Sequence, residues 1–339
     1  MRTRSRLVLI LLLAIGGQLS FALQPFKPGE RVVFLGDSIT HFGRWWPYIW
    51  CAYVEQFPEG FPLFISAGFS GDTATGALCR LDRDVFAKNP DTVCVMLGMN
   101  DVRRTTYTAE NTSADQQAQK EALELYKTSM DQLVKRVTEK KIRCIVVTPS
   151  PYDQTMVNPD ARAVNPGCND GLTIASRIAT DIAKKYHCDV VDFHGPMTRT
   201  NLEKQAKDPS ATIIGLDRVH PQSEGSKIMA ELFLSAQGVD AAALDHTGSF
   251  SNVWAHVQME KNLRNILWLE DKVLAPRGID SQDIEASKTF FREKYQPRGG
   301  ADRQRVESYF RWRGSENDIF HEVEKIERRM KAGIVDTSE

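Results

Sequence analysis

Five short apolar runs, separated by stretches of helical periodicity, constrain this chain more than any other feature. They span residues 31–35, 63–67, 92–97, 143–148 and 189–193, and Gly, Pro or Asp lies close to the end of each. All are largely apolar at consecutive positions rather than at alternate ones. A strand with that pattern is buried on both faces, the environment of a parallel sheet covered by helices. Between the runs, Tyr126, Met130, Leu133 and Val137 recur at spacings of four, three and four, and Ile174, Ile178 and Ile182 recur every four. These spacings predict helices with one apolar stripe each, which core packing explains. Repeated strand–helix–strand units imply right-handed crossovers and a three-layer α/β fold. In such sheets ligands bind beyond the carboxyl ends of the strands.

A chain of 339 residues has room for one large domain and an appendage. The pattern changes near residue 240. No strand-like run follows. Trp254, Val257, Leu263, Ile266 and Leu267 share helical spacing, Pro276 and Gly278 break it, and a second break falls at 297–300. Ile319, Val323, Ile326 and Met330 then mark a last amphipathic helix. The expected organisation is a signal peptide over 1–22, an α/β domain over 23–240 and a helical extension over 241–339 packed on that domain. The signal peptide is read from Arg2, Arg4 and Arg6, the apolar run 7–17, and the small residues Ser20 and Ala22 before a cut after Ala22. The run is short of the ~20 apolar residues a spanning helix needs. The expectation is a secreted or periplasmic protein without stable membrane insertion.

Formal net charge is −1, from 43 basic and 44 acidic residues. Phosphate backbones are bound by basic surfaces, so no nucleic-acid partner is expected. Six cysteines stand at 51, 79, 94, 144, 168 and 188. Export would permit disulfides, but six cysteines allow 15 pairings. Cys94 and Cys144 sit inside apolar runs and read as small hydrophobes. No Cys/His cluster suggests a metal.

Four polar segments carry the chemistry. Gly36-Asp37-Ser38-Ile39-Thr40 follows the first run, and a serine at a strand-to-helix turn can present its hydroxyl and its backbone N–H to one space. Read alone, Ser38 could equally cap a helix. Gly68-Phe69-Ser70-Gly71-Asp72-Thr73 follows the second run, and a glycine N–H there can approach an oxyanion unhindered. Gly98-Met99-Asn100-Asp101 follows the third, and an asparagine amide donates hydrogen bonds without charge. Asp217-Arg218-Val219-His220-Pro221 offers a histidine base with a carboxylate three residues earlier to fix its tautomer. The chain contains a decoy of the same spacing, Asp318 and His321, within the last helix. Pro221 favours extended backbone at His220, which distinguishes the first pair. His41 reads as a loop residue rather than a second base.

Taken together, the blocks GDSI, GFSGDT, GMND and DRVHP resemble those of the SGNH/GDSL hydrolase superfamily over residues 31 to about 236. The resemblance implies a flavodoxin-like sheet of five parallel strands. It implies Ser38 as nucleophile, His220 as base and Asp217 as its orienting carboxylate. The N–H groups of Ser38 and Gly71 and the Asn100 amide would form the oxyanion hole. Such chemistry requires no metal or organic cofactor. The expected activity is hydrolysis of an O-acyl ester, above all O-acetyl, on a carbohydrate, with a small-molecule or polysaccharide substrate. A lipase, lysophospholipase or thioesterase is the alternative, and a non-catalytic carbohydrate-binding protein is the alternative of another class. Trp45 and Trp46 follow the nucleophile closely and could stack on a sugar ring, although a core role fits them as well.

Overall fold

The computed structural model describes residues 23–58, 60–242, 244, 251–313 and the single positions 319, 325 and 328. The expected signal peptide, the Asp318/His321 pair and Val323, Ile326 and Met330 of the last expected helix lie outside the described residues.

Five strands form one parallel sheet: β1 (Arg31–Gly36), β2 (Leu63–Gly68), β3 (Thr92–Met96), β4 (Arg143–Val147) and β5 (Asp189–Val191). Their order is β2-β1-β3-β4-β5, so the chain reverses direction across the sheet between β1 and β3. The register pairs Leu35 with Ala67 on one side and with Val95 on the other. Four strands are buried almost throughout, which is why each reads as a continuous apolar run. All five expected runs are strands, and their ends shift by only one or two residues.

Eleven described helices surround or extend the sheet: α1 (Ser38–His41), α2 (Trp45–Gln56), α3 (Ala74–Cys79), α4 (Leu81–Asp84), α5 (Ser113–Glu139), α6 (Cys168–Lys185), α7 (His194–Gln205), α8 (Ser223–Gln237), α9 (Ser251–Leu269), α10 (Ile284–Glu293) and α11 (Gly300–Trp312). Helices α3, α5 and α6 pack together on one face, and α2 and α8 on the other. The long α5 starts with a capping box, Thr112 and Asp115 exchanging bonds with each other's backbone N–H. Its buried stripe is the expected Tyr126, Met130, Leu133 and Val137. On α6 the expected stripe is corrected. Ile174 is exposed and Ile178 only half-buried, while Leu172, Ala175, Ala179, Ile182 and Ala183 face the core. Alanines let α6 approach the sheet closely, and that turns Ile174 and Ile178, but not Ile182, away from the core.

Trp45 and Trp46 are also corrected: both are buried, at 1% and 0% exposure. Trp45 meets Phe34 and Phe193 edge-on, and the Trp46 indole N–H donates to Thr40 O at 3.0 Å. The Gly43–Arg44 turn after α1 leads α2 beneath the sheet, so the first turn of α2 points its large rings into the core. Neither tryptophan can reach a substrate. All six cysteines are free thiols.

The helical extension is bonded to the sheet domain. Val253 and Val257 of α9 join the main core. Farther along, Leu263, Ile266, Leu269, Val273, Leu274, Phe291 and Tyr309 form a second apolar cluster. Between the two bodies lies a buried ion network. Asp84, 1% exposed, pairs with Arg80 at 3.0 Å, Arg83 at 2.6 Å and Arg264 of α9 at 3.1 Å. Burial alone would raise the Asp84 pKa, but the three guanidinium groups hold it well below the usual carboxylate range. Removing the shared anion would leave the Arg264 guanidinium, 1% exposed, buried without its carboxylate, while Arg80 keeps Asp72 and Arg83 keeps Asp271. Asp84→Asn should therefore lower the unfolding free energy by about 3–5 kcal/mol, read as a shift in urea midpoint at pH 7. Exposed Lys135→Ala, which breaks only a surface pair, should change it by less than about 1 kcal/mol.

Candidate active site

The loops after β1, β2 and β3 and the loop before α8 converge at the carboxyl edge of the sheet, beside the point where strand order reverses. Asp37 caps α1 by accepting the Ile39 N–H at 2.9 Å, and this turn places Ser38 at the first position of α1. A Cβ at Gly68 would collide with the His41 backbone, so glycine there allows β2 to lie directly against α1. His41 is fully buried, stacked on Phe42 at 4.0 Å. Burial and the nearby cations Arg305 and Arg264 hold its pKa well below the ordinary value, and a ring so enclosed cannot reach a substrate as a second base.

Ser38 is 8% exposed, and its Oγ lies 2.8 Å from His220 Nε2. His220 Nδ1 lies 2.5 Å from Asp217 Oδ2. The other carboxylate oxygen, Asp217 Oδ1, accepts the N–H groups of Val219 and His220, both at 3.0 Å. Burial pushes the Asp217 pKa up, but the bonds from His220 and the two amides outweigh it and hold the carboxyl far below its usual range. Asp217 is thus an anion fixed at both oxygens. The turn that carries it is strained. Arg218 has φ +66°, a conformation costly for a residue with a Cβ. Its guanidinium secures the turn through the carbonyls of Arg162, Asp153 and Met156 at 2.7, 2.9 and 3.1 Å.

The other two expected oxyanion donors, Gly71 and Asn100, stand on the loops after β2 and β3, the strands on either side of β1. Gly71 adopts φ +80°, the left-handed region that favours glycine. Among the described residues no group accepts the N–H of Gly71 or of Ser38. Arg104 donates to Asn100 Oδ1 at 3.0 Å, and Asn100 Nδ2 donates to Asp72 O at 2.8 Å. These two bonds fix which side of the amide carries the nitrogen, and they leave its second hydrogen available. Asp101 accepts the Ala74 N–H at 2.7 Å, so the asparagine loop and the glycine loop are joined twice. Arg80 completes the frame. It donates to Gly36 O at 3.1 Å and Ala67 O at 2.8 Å, and pairs with Asp72 at 2.7 Å. No sequence signal marks Arg80, Arg104 or Arg218 for this role. Nothing distinguishes a buried arginine from a surface one in sequence until its partners are known.

A cavity of about 400 Å³ opens over Ser38 and His220, and its lining includes Phe42, Arg44, Ser70 and Ala301. Phe42, rather than Trp45 or Trp46, is the aromatic ring at its wall. Among the described residues no cluster of His, Cys, Asp or Glu could hold a metal ion. No described helix is long and apolar enough to cross a membrane.

Fold and sequence together define an ester-hydrolysing α/β enzyme. The profile of the GDSL-like lipase/acylhydrolase family matches residues 34–228. The chain belongs to that family, and the alternative of a non-catalytic binding protein is not retained. It is 28% identical over 232 residues to an acetylxylan esterase of Geobacillus stearothermophilus, covering 62% of this chain and 95% of that protein. Among solved structures, a gut microbial diltiazem-metabolizing enzyme shares its fold with a TM-score of 0.78 and 20% identity, over 93% of this chain and 97% of the other. That coverage extends the shared architecture into the helical extension. LAE5, an alpha/beta hydrolase from the metagenome of Lake Arreo in Spain, matches with a TM-score of 0.50 and 24% identity, over 63% of this chain and 97% of its own.

Three carboxyl groups, Asp37, Asp72 and Asp101, lie buried behind Ser38. Burial pushes Asp37 up to about 6. It pushes Asp101 up to about 7, with repulsion from Asp37 and Asp72 adding to the rise. The folded state therefore holds protons that the unfolded chain has released. This contribution to stability is full below the unfolded pKa near 3.8 and is lost as pH rises through about 6 to 7. Asp101→Asn keeps the oxygen that accepts the Ala74 N–H and removes the titration. Between about pH 5 and 8 its urea midpoint should fall less steeply than that of the wild type, whereas equal slopes would assign the proton elsewhere.

Proposed function

We propose that the protein hydrolyses O-acyl esters, O-acetyl groups on a carbohydrate foremost, through Ser38, His220 and Asp217. The observation that carries this reading is the unbroken chain from Ser38 Oγ to His220 Nε2 and from His220 Nδ1 to Asp217, at 2.8 and 2.5 Å. In this reading His220 takes the Ser38 proton as Oγ attacks the ester carbonyl. The N–H groups of Ser38 and Gly71 and the Asn100 amide hold the tetrahedral oxyanion. His220 returns the proton to the leaving alcohol, and an acyl-enzyme remains. Water, deprotonated by His220, attacks that acyl-enzyme and regenerates Ser38. Asp217 stays ionised throughout, fixing the imidazole tautomer and stabilising the imidazolium.

The carbohydrate substrate is supported by the similarity to an acetylxylan esterase and by the open cavity at Ser38. A chain exported by its 1–22 segment would meet polysaccharide outside the cell. We take residues 23–240 as the catalytic unit and 241–339 as its helical extension.

Wild-type protein should be labelled by a fluorophosphonate probe and Ser38→Ala should not; labelling that survives in Ser38→Ala would refute the nucleophile. Asn100→Ala should lower kcat by about 10²–10³ with a smaller effect on KM. On a panel of acetylated xylan and p-nitrophenyl esters of rising chain length, the acetyl substrates should be turned over fastest. Activity confined to long acyl chains would replace the carbohydrate esterase by a lipase or thioesterase.

A further inference from the structure

The loop that presents Gly71 is tied to the helical extension as well as to the sheet. The Trp268 indole N–H, at the end of α9, donates to the backbone carbonyl of Ser70 at 3.0 Å. The next residue is Gly71, exposed, at φ +80° and with open space around the position of a Cβ. Neighbouring side chains therefore do not fix its peptide plane. The peptide of Ser70 C=O and Gly71 N–H is one rigid unit, so a bond that fixes the carbonyl also fixes the direction of the N–H. Trp268 is itself clamped. The Arg305 guanidinium of α11 lies 3.9 Å above its ring, a close cation–π contact, and is held there by Asp302 at 2.7 Å. Lower in the same loop, Asp72 reaches the extension through Arg80, Asp84 and Arg264. Helix α11 also contributes Ala301 to the wall of the cavity over Ser38.

We propose that Trp268 is a positioning residue of the active site: through Ser70 O it holds the Gly71 N–H in the direction required to receive the oxyanion, and the helical extension thereby completes the catalytic machinery. This rests on the reading of Gly71 as an oxyanion donor. It assigns the extension a role that stability alone does not require. The indole bonds to a backbone carbonyl on the far side of the interface, next to a donor whose orientation matters only when charge develops on the substrate oxygen.

The test is Trp268→Phe, which keeps an aromatic ring beneath Arg305 and removes the N–H. With p-nitrophenyl acetate, kcat should fall about tenfold, less than the loss of a whole donor, with KM within about twofold of wild type. The thermal midpoint should stay within about 2 °C. Trp268→Phe should add nothing in a Gly71→Ala background, where the strained alanine has already displaced the N–H, and should keep its tenfold effect in an Asn100→Ala background. Wild-type kcat in Trp268→Phe, a rise in KM alone, or equal losses in all three backgrounds would overturn the proposal. Should Trp268→Phe fail to fold, Arg305→Met releases the indole while leaving its N–H and should show the same dependence on Gly71; independence from Gly71 would overturn the proposal equally. Gly71→Ala at wild-type kcat would instead refute the oxyanion reading, an outcome separate from any Trp268 result.

Discussion

The guanidinium of Arg80 is the point where the parts of this enzyme meet. It donates to carbonyls at the ends of β1 and β2, pairs with Asp72 of the glycine loop, and pairs with Asp84, which also receives Arg264 from the extension. A buried charge is costly unless every polar contact is satisfied. The same cost makes the arrangement specific. Strand ends, loop and extension must all be in place before the guanidinium and its carboxylates are compensated, so the catalytic edge of the sheet forms as one unit.

The local chemistry follows from that rigidity. Ser38, Gly71 and Asn100 come from the ends of three adjacent strands, and their relative positions are set by the register of a parallel sheet. The asparagine loop and the glycine loop are then joined by Asn100 to Asp72 and by Asp101 to Ala74. Electrostatic stabilisation of an oxyanion depends on donors already oriented before the charge appears. His220 arrives differently, from a turn strained at Arg218 and held by three carbonyls of the segment after β4. Backbone strain of this kind is stable only where surrounding bonds over-determine it.

Much of this was legible in the sequence, for identifiable reasons. The strands were readable because burial on both faces leaves a continuous apolar run. Three of the four motifs were readable because each follows a strand, where an α/β sheet puts its ligands. The errors are equally physical. Ile174 and Ile178 have helical spacing, yet small alanines decide which face of α6 approaches the sheet. Trp45 and Trp46 stand close to Ser38 in sequence, but the turn at Gly43–Arg44 sends them into the core. The buried arginines left no periodic signal, because their partners lie on other elements.

By itself the sequence determined the layer architecture, the five strands and which side chains are candidates for the site, since those depend on local periodicity and on side-chain chemistry. Only the tertiary structure decided which aromatic ring lines the cavity, which way the Asn100 amide points, and how the helices after residue 240 engage the catalytic loops. Those outcomes depend on distances between residues far apart in the chain. Such distances are set by packing and by buried charge compensation, which no window of sequence contains.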